Sequence, residues 1–333
     1  MKAIKFFAIS AMAAAMITSC SSEDELSQSN YPSDNIIRVT AGVNNAKTRA
    51  DGQGVSAMDK DFSLTVVNKN TESTLPSKYT YIDKVFSKKS GDWACSETLL
   101  WQNSTTPVDI VAFAPAQENK FSGVCDNDRN IKPITYSVAG DQSTWSDNND
   151  LLYYYAKDFK PGEGLKDKKL SIQFNHAFCM IDINVTLGTE FNKPNVLDDS
   201  PIVKVTLGGT KIAANVNVTN AASVVTASEE AAATDITTTK GSFDKAADPE
   251  ANAISRFSCI AIPQTVGANT FKVSLMTAGK LYEWTSAEPV ELKSGYRYTL
   301  KLSMGNDVVL LKGGSISATP WTEITSDKPL ETD

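Results

Sequence analysis

The sequence predicts an all-β fold of antiparallel sheets, and three observations carry that reading. Short apolar runs rich in Val, Ile, Thr, Tyr and Phe recur along the 333 residues. Clusters of Gly, Pro, Asn, Asp and Ser separate them, and no helical periodicity alternates with them. A parallel sheet would need crossover helices between its strands, so antiparallel sandwiches fit better.

The first predicted strand is Asn35–Val43 (NIIRVTAGV). Phe62–Asn68, Tyr79–Phe86, Val108–Ala114, Leu151–Ala156 and Leu170–Phe174 follow. Then come Cys179–Leu187, Ile202–Leu207, Lys211–Val218, Phe257–Ile262, Thr270–Met276, Lys280–Trp284 and Arg297–Met304. Alternation is cleanest in the stretch from Met180, where Ile181, Ile183, Val185 and Leu187 share the core face. Two strands stop at prolines, Pro115 and Pro263, which cannot donate to a ladder. The Ala/Glu/Thr-rich stretch 221–236 is the one candidate helix, inside a polar insertion at 221–256 that reads as a mobile loop.

The chain is long enough for two domains or one large all-β one, and its 41% hydrophobic content supplies a real core. The basic, Gly/Pro-containing stretch 156–169 (AKDFKPGEGLKDKK) is the predicted boundary. It separates an N-terminal domain, 35–165, from a C-terminal domain, 166–333. The formal charge is 32 − 39 = −7. Such an acidic chain is not expected to bind nucleic acid, because phosphate binding needs clustered Lys and Arg. A single histidine also argues against most His-based zinc sites.

The N-terminus reads as an export signal. Lys2 and Lys5 precede a 12-residue apolar stretch, Phe6–Ile17, too short to span a bilayer. The signal ends Ile17-Thr18-Ser19-Cys20, which resembles a bacterial lipobox. Residues 1–20 are thus expected to be a lipoprotein signal peptide, with Cys20 acylated as the lipid anchor in the outer membrane. Residues 21–34 form an acidic tether, and its Ser21-Ser22-Glu23-Asp24-Glu25 resembles the surface-export signal of Bacteroidota lipoproteins.

Four cysteines remain: Cys95, Cys125, Cys179 and Cys259. No pair has Cys-x-x-Cys spacing, an oxidising compartment permits disulfides, and the pairing stays open. Phosphate-loop, nucleophile-elbow and zinc-protease motifs are absent from the sequence. His176 and Cys179 sit three apart on strand-like chain, which points them to opposite faces rather than into a dyad. His176 reads instead as a strand-edge histidine with its ring hydrogen-bonded. Asp126–Asn130 resembles the start of a calcium loop, but Ile131 replaces the required Gly and Ser137 the bidentate Glu. It reads as a polar turn, as does Asp147-Asn148-Asn149-Asp150. Trp93, Trp101, Trp145, Trp284 and Trp321 read as packing residues rather than a sugar platform. No cofactor, metal or catalytic set is predicted, and the chain is not expected to be an enzyme.

Several segments then form one pattern. Ile36–Val43 is followed by Asn44-Asn45-Ala46-Lys47-Thr48-Arg49-Ala50. Phe174-Asn175-His176-Ala177 opens the second half, and Gly295-Tyr296-Arg297-Tyr298-Thr299-Leu300 and Ile316-Ser317-Ala318-Thr319-Pro320-Trp321 lie near the end. With the lipobox, this order resembles the fimbrillin family of Bacteroidales, the type V pilus subunits and their stalk, anchor and tip relatives, over essentially the whole chain. The resemblance implies two transthyretin-like antiparallel β-sandwich domains. It implies other fimbrial subunits as partners, in a homo-polymer or a hetero-assembly, and a host surface protein or glycan as adhesion target. It also implies maturation by an arginine-specific protease that separates the first strand, whose groove then takes an extended segment of another subunit.

On this chain the cut would fall between Arg49 and Ala50, beside the accessible-looking Asp51-Gly52-Gln53-Gly54. The lost strand would be Ile36–Val43 and the donor would follow Met304. A donor with four inward apolar residues has a gross gain of about 6–12 kcal/mol. The stretch Gly305–Asp333 has a second reading, as a hairpin that closes its own sheet; the detachable donor, with Gly313-Gly314 as hinge, is the expectation taken. The alternative function is a non-polymerising surface lipoprotein of the same fold: a pilus anchor, tip adhesin or glycan-binding module.

Overall fold

The computed structural model describes residues 30–44, 55–72, 75–305, 309–311 and 316–321. Among them the fold is all-β, and its two α-helices are single turns, Leu75–Lys78 and Pro161–Gly164.

The first strands are β1 (Val39–Asn44), β2 (Val55–Ala57), β3 (Phe62–Asn68), β4 (Tyr81–Lys89), β5 (Asp92–Cys95), β6 (Val108–Ala114), β7 (Ile134–Ser137), β8 (Leu152–Phe159) and β9 (Leu170–His176). All but β7 join one eight-stranded sheet in the order β2-β1-β9-β8-β6-β3-β4-β5. Its pairings are antiparallel except that of β1 with β9, which is parallel. The sheet curls so that β5 returns beside β1. Alternate residues face the enclosed core: Phe62, Leu64 and Val66 from β3, and Leu170, Ile172 and Phe174 from β9. The Phe62 ring lies 5.5 Å from Phe86 and 5.4 Å from Phe174.

Every residue of β3 and β6 is buried, so the sheet centre is covered on both faces. The segment after β6 covers the second face of β6, with Phe121 stacked 4.7 Å from Phe113. That segment then gives β7 to the other half of the molecule.

The remaining strands are β10 (Cys179–Leu187), β11 (Ile202–Gly208), β12 (Ala213–Val216), β13 (Val225–Ala227), β14 (Ile236–Thr237), β15 (Thr239–Asp244), β16 (Ile254–Ala261), β17 (Gln264–Val266), β18 (Lys272–Thr277), β19 (Leu281–Thr285), β20 (Val290–Leu292), β21 (Tyr296–Met304), β22 (Val309–Leu311) and β23 (Ser317–Pro320). One sheet runs β15-β16-β10-β21-β22, with β23 also on β21; a second runs β14-β11-β18-β19. Two small sheets, β13-β12-β7 and β17-β20, complete the half. The core lies between β10 and the β11–β18 pair, where Ile181, Ile183, Val185 and Leu187 meet Val205, Leu207, Val273 and Leu275. These are the inward residues that the alternation of Cys179–Leu187 predicts.

Several local outcomes differ from the sequence expectation. The stretch 221–236 forms no helix. Val225, 8% exposed, anchors β13 against β12, and Ile236, fully buried, anchors β14. β-branched Val224, Val225, Thr226 and Ile236 favour extended chain, and burying two of them outweighs the helix propensity of the alanines. The insertion 221–256 also carries β15, which pairs with β16. The predicted boundary stretch, 156–169, holds the end of β8, one helical turn and the link to β9. β9 itself pairs with β8 and β1, while β7 pairs with β12, so each half contributes a strand to the other's sheets.

Candidate assembly interface

β1 is an internal strand. β9 lies on one side, in register from Val39↔Leu170 to Val43↔Phe174, and β2 lies on the other. Ile37, Val39, Ala41 and Val43 point into the first core at every second position. Ile37, Val39 and Val43 are at most 4% exposed. The approach to β1 is also tied down. Ile37 N donates to Leu99 O at 2.9 Å, and Trp101 N donates to Asn35 O at 2.8 Å. The Arg38 guanidinium grips Asp34 and holds its carboxyl below the usual range.

At the far end, Asn44 Nδ2 donates to Gln173 O at 3.4 Å and Asn175 Oδ1 at 3.0 Å. Among the described residues β2 pairs with β1 alone, at three positions. Residues 45–54 connect these two strands; Arg49 and Ala50 belong to them and, like Cys20, lie outside the described residues.

The C-terminal segment occupies the edge of β21. β22 lies opposite 302–304 and β23 opposite 296–299. The stretch expected to be a detachable donor is thus paired within its own sheet, as the second reading has it. All four side chains of β23 are exposed. Beside the ladder, Val309 and Trp321 are buried, at 7% and 6% exposure.

Trp321 reaches the crossing between the halves. Its backbone N–H donates to Gly295 O at 2.8 Å, and its indole stacks on the His176 ring with centroids 3.8 Å apart and 14° between planes. Gly295 holds the turn before β21 at φ +71°, a left-handed conformation that suits glycine. His176 ends β9. Its Nδ1 lies 2.9 Å from Asp150 Oδ1, with both side chains buried. Its Nε2 has no partner among the described residues. Ser294 Oγ clamps the crossing by donating to His176 O at 3.0 Å and to Ala177 O at 2.8 Å. Gly295 N donates to Phe178 O at 2.9 Å, and Ala177 N to Leu151 O at 2.8 Å.

The other predicted residues fall as follows. His176 is a strand-end histidine hydrogen-bonded through its ring, and it does not meet Cys179. The Cys179 thiol donates to Ala261 O at 3.1 Å instead, and burial pushes its pKa up. All four cysteines are free. Asp126 forms a polar turn: its carboxylate accepts from Asn130 N at 2.8 Å and from Lys132 Nζ at 3.0 Å. The backbone donor and the lysine hold it at a pKa of about 2. Trp101 is core, and Trp93 and Trp284 pack against Phe62 and Phe271. Trp145 is 41% exposed and donates to Asp147 Oδ1 at 3.0 Å. Burial pushes Tyr298, whose hydroxyl accepts from Lys293 N at 2.7 Å, up to about 12. The contact of Trp321 with His176 was not legible in the sequence; the signal was limited to each residue standing in a quoted motif.

The family described as fimbrillin-like matches residues 48–321, well over half of the chain. The chain belongs to the fimbrillin-like family. Solved structures agree on the fold of this fimbrillin-like chain. A Bacteroides ovatus protein described as a cell adhesion protein has a TM-score of 0.61 at 15% identity, over 87% of this chain and 98% of its own. A fimbrial protein of Bacteroides vulgatus has a TM-score of 0.55 at 14% identity, over 86% and 99%. A Bacteroides uniformis protein, also described as a cell adhesion protein, reaches 0.56 at 14% identity, over 87% and 100%. No curated protein matches the chain. The family match starts at residue 48, so β1 precedes it and β2 falls inside it.

Proposed function

We propose that the chain is a fimbrial subunit of the cell surface. It is exported as a lipoprotein through Cys20 to the outer membrane and matured by cleavage between Arg49 and Ala50. It then assembles with other fimbrial subunits by strand exchange and serves adhesion to a host surface protein or glycan. Family membership supports the coarse role.

The observation that carries the finer reading is the placement of β1. It is a core strand, and the first arginine after it, Arg49, lies in the ten-residue connection 45–54. A cut there severs β1 from everything that follows. Loss of β1 would strip the ladder from β9 at five positions and leave β2 without its partner. It would also uncover the pockets of Ile37, Val39 and Val43. Refilling these three contributes about 5–9 kcal/mol gross, before the cost of ordering the incoming strand. Any extended segment with apolar residues at alternate positions can satisfy such a groove by strand addition.

Within the segment after Met304, β23 suits the donor role because all four of its side chains are exposed. A second reading, a non-polymerising surface lipoprotein of the same fold, takes support from the same segment, which lies paired on β21. The N-terminal residue of the protein extracted from the cell surface separates the two. Ala50 is expected for a polymerising subunit. A lipidated Cys20 on an uncut chain would overturn that assignment in favour of the second reading.

A further inference from the structure

We propose that His176 is a latch between the two ends of the chain: it holds the C-terminal segment only while β1 is in place. This rests on the reading of β1 as the removable strand. Four observations meet at this one residue.

First, His176 ends β9, the strand that pairs with β1 along 170–174. The β1 contact extends one residue further, because Asn44 Nδ2 donates to Asn175 Oδ1 at 3.0 Å. Second, the ring of His176 is the surface on which Trp321 lies, 3.8 Å between centroids. Third, Trp321 ends a strand whose own four side chains are all exposed, so its indole is a main apolar anchor of that strand. Fourth, the imidazole has few other restraints. Nδ1 meets Asp150 Oδ1, while Nε2 has no partner among the described residues. The seat for Trp321 therefore depends on where the end of β9 stands.

Within the sheet that end is held from two sides, besides the Ser294 hydroxyl on its last carbonyl. On one side β8 pairs with it, at Leu152↔His176 and Tyr153↔Asn175. On the other side are β1 and Asn44. When β1 leaves, β9 loses a whole ladder and becomes an edge up to Phe174, and Asn175 loses its amide partner. Frayed edges open first in native proteins. An imidazole that shifts by even an ångström no longer offers Trp321 a parallel face, and dispersion contact falls steeply with such a gap. Among the described residues, β23 is then left with its ladder to β21 and the partly buried Ile316 before it.

The consequence is an ordering of events. In the uncut chain both ends are closed, so an exposed donor and an empty groove do not coexist before maturation. Once β1 is gone, the same chain has an open groove and a loosened donor. The coupling is reciprocal by linkage: whatever loosens Trp321 must also weaken the hold on β1.

Hydrogen exchange on the full chain, before and after the cut, tests this in both directions. In wild type cut by an arginine-specific protease and separated from its N-terminal piece, the amides of 317–319 are expected to exchange at least about fivefold faster than in the uncut chain. In uncut Trp321→Ala, the amides of 39–44 are expected to exchange faster by a similar factor. Trp321→Phe keeps a ring on His176 and is expected to restore most of the protection. The cut wild-type arm needs no substitution, so a misfolded variant does not remove the test. Unchanged exchange at 317–319 after β1 is removed overturns the latch. Polymer formation in the same cut sample reads the fimbrial assignment separately. Coupled exchange without polymers supports the latch and counts against strand exchange; polymers without coupled exchange do the reverse.

Discussion

β1 and β23 are both single strands laid against a sheet, yet different forces hold them. β1 has a neighbour on each side and sends Ile37, Val39, Ala41 and Val43, on and just before it, into a core. β23 has one neighbour and four exposed side chains, and its end is fixed by the indole that follows it. Burial near 25 cal/mol per Å² favours the first strongly and the second weakly. A strand like β1 leaves slowly unless its covalent tie is cut and a replacement arrives. A strand like β23 can open and close on its own. If both ends take part in assembly, the difference assigns their roles: the buried strand defines the acceptor groove, and the exposed strand belongs to the segment free to travel.

The sharpest way to break this contrast is to put a charge on each strand. Val39→Asp buries a carboxylate opposite Leu170 of β9, among the apolar side chains of the first core. An unpaired buried charge destabilises by about 3–5 kcal/mol. Ser317→Asp points its carboxylate to solvent and is expected to stay within about 0.5 kcal/mol of wild type. Denaturant titrations of the uncut chain measure both. Equal losses would mean that β1 is no better anchored than β23, and the division of roles would collapse.

Smaller is the expected effect of Trp321→Ala. A fully buried Trp in a core costs about 3–5 kcal/mol when cut to Ala. Trp321 lies at the end of an exposed strand, so the segment can relax away, and a loss of about 1–3 kcal/mol is expected. The loss should be local. Trypsin or a similar protease should reach the chain after Met304 sooner than in wild type, while the β10–β21 pairing keeps its protection. A global fall in stability of the core value would show that the C-terminal segment is integral to the second core rather than laid upon it.

Face was legible in the sequence and partner was not. The run Cys179–Leu187 announces its inward side because a period of two reports which residues are buried. The same period does not reveal which strand lies next door, so the parallel pairing of β1 with β9 and the crossing of β7 to β12 had no local signal. β7, with four residues, and β5, equally short, are too brief to display any period. The Ala-rich stretch 221–236 misled because its alanines suggest a helix, while the burial of Val225 and Ile236 decides the outcome. At the candidate interface, the apolar run Asn35–Val43 announced a strand. The sequence had no means to bring together His176, Asp150 and Trp321, which meet only after two sheets have formed.

The smallest expected effect on stability belongs to the residue with the largest expected effect on maturation. Arg49 lies in the connection between β1 and β2, and the contacts that seat β1 among the described residues come from Leu99, Trp101, β9 and the core. Arg49→Ala should therefore leave the denaturation midpoint within the change expected of a surface site, about 0.5 kcal/mol. It should also leave β1 attached through any exposure to an arginine-specific protease. With β1 in its groove the edge of β9 stays paired, so the variant should run as a monomer by size exclusion while wild type, once cut, forms larger species. Set beside Val39→Asp, the pair isolates what β1 contributes through its burial from what it contributes through its connection. An Arg49→Ala chain that polymerises as fast as wild type would show that the connection does not matter, and that whatever frees the groove acts somewhere other than Arg49.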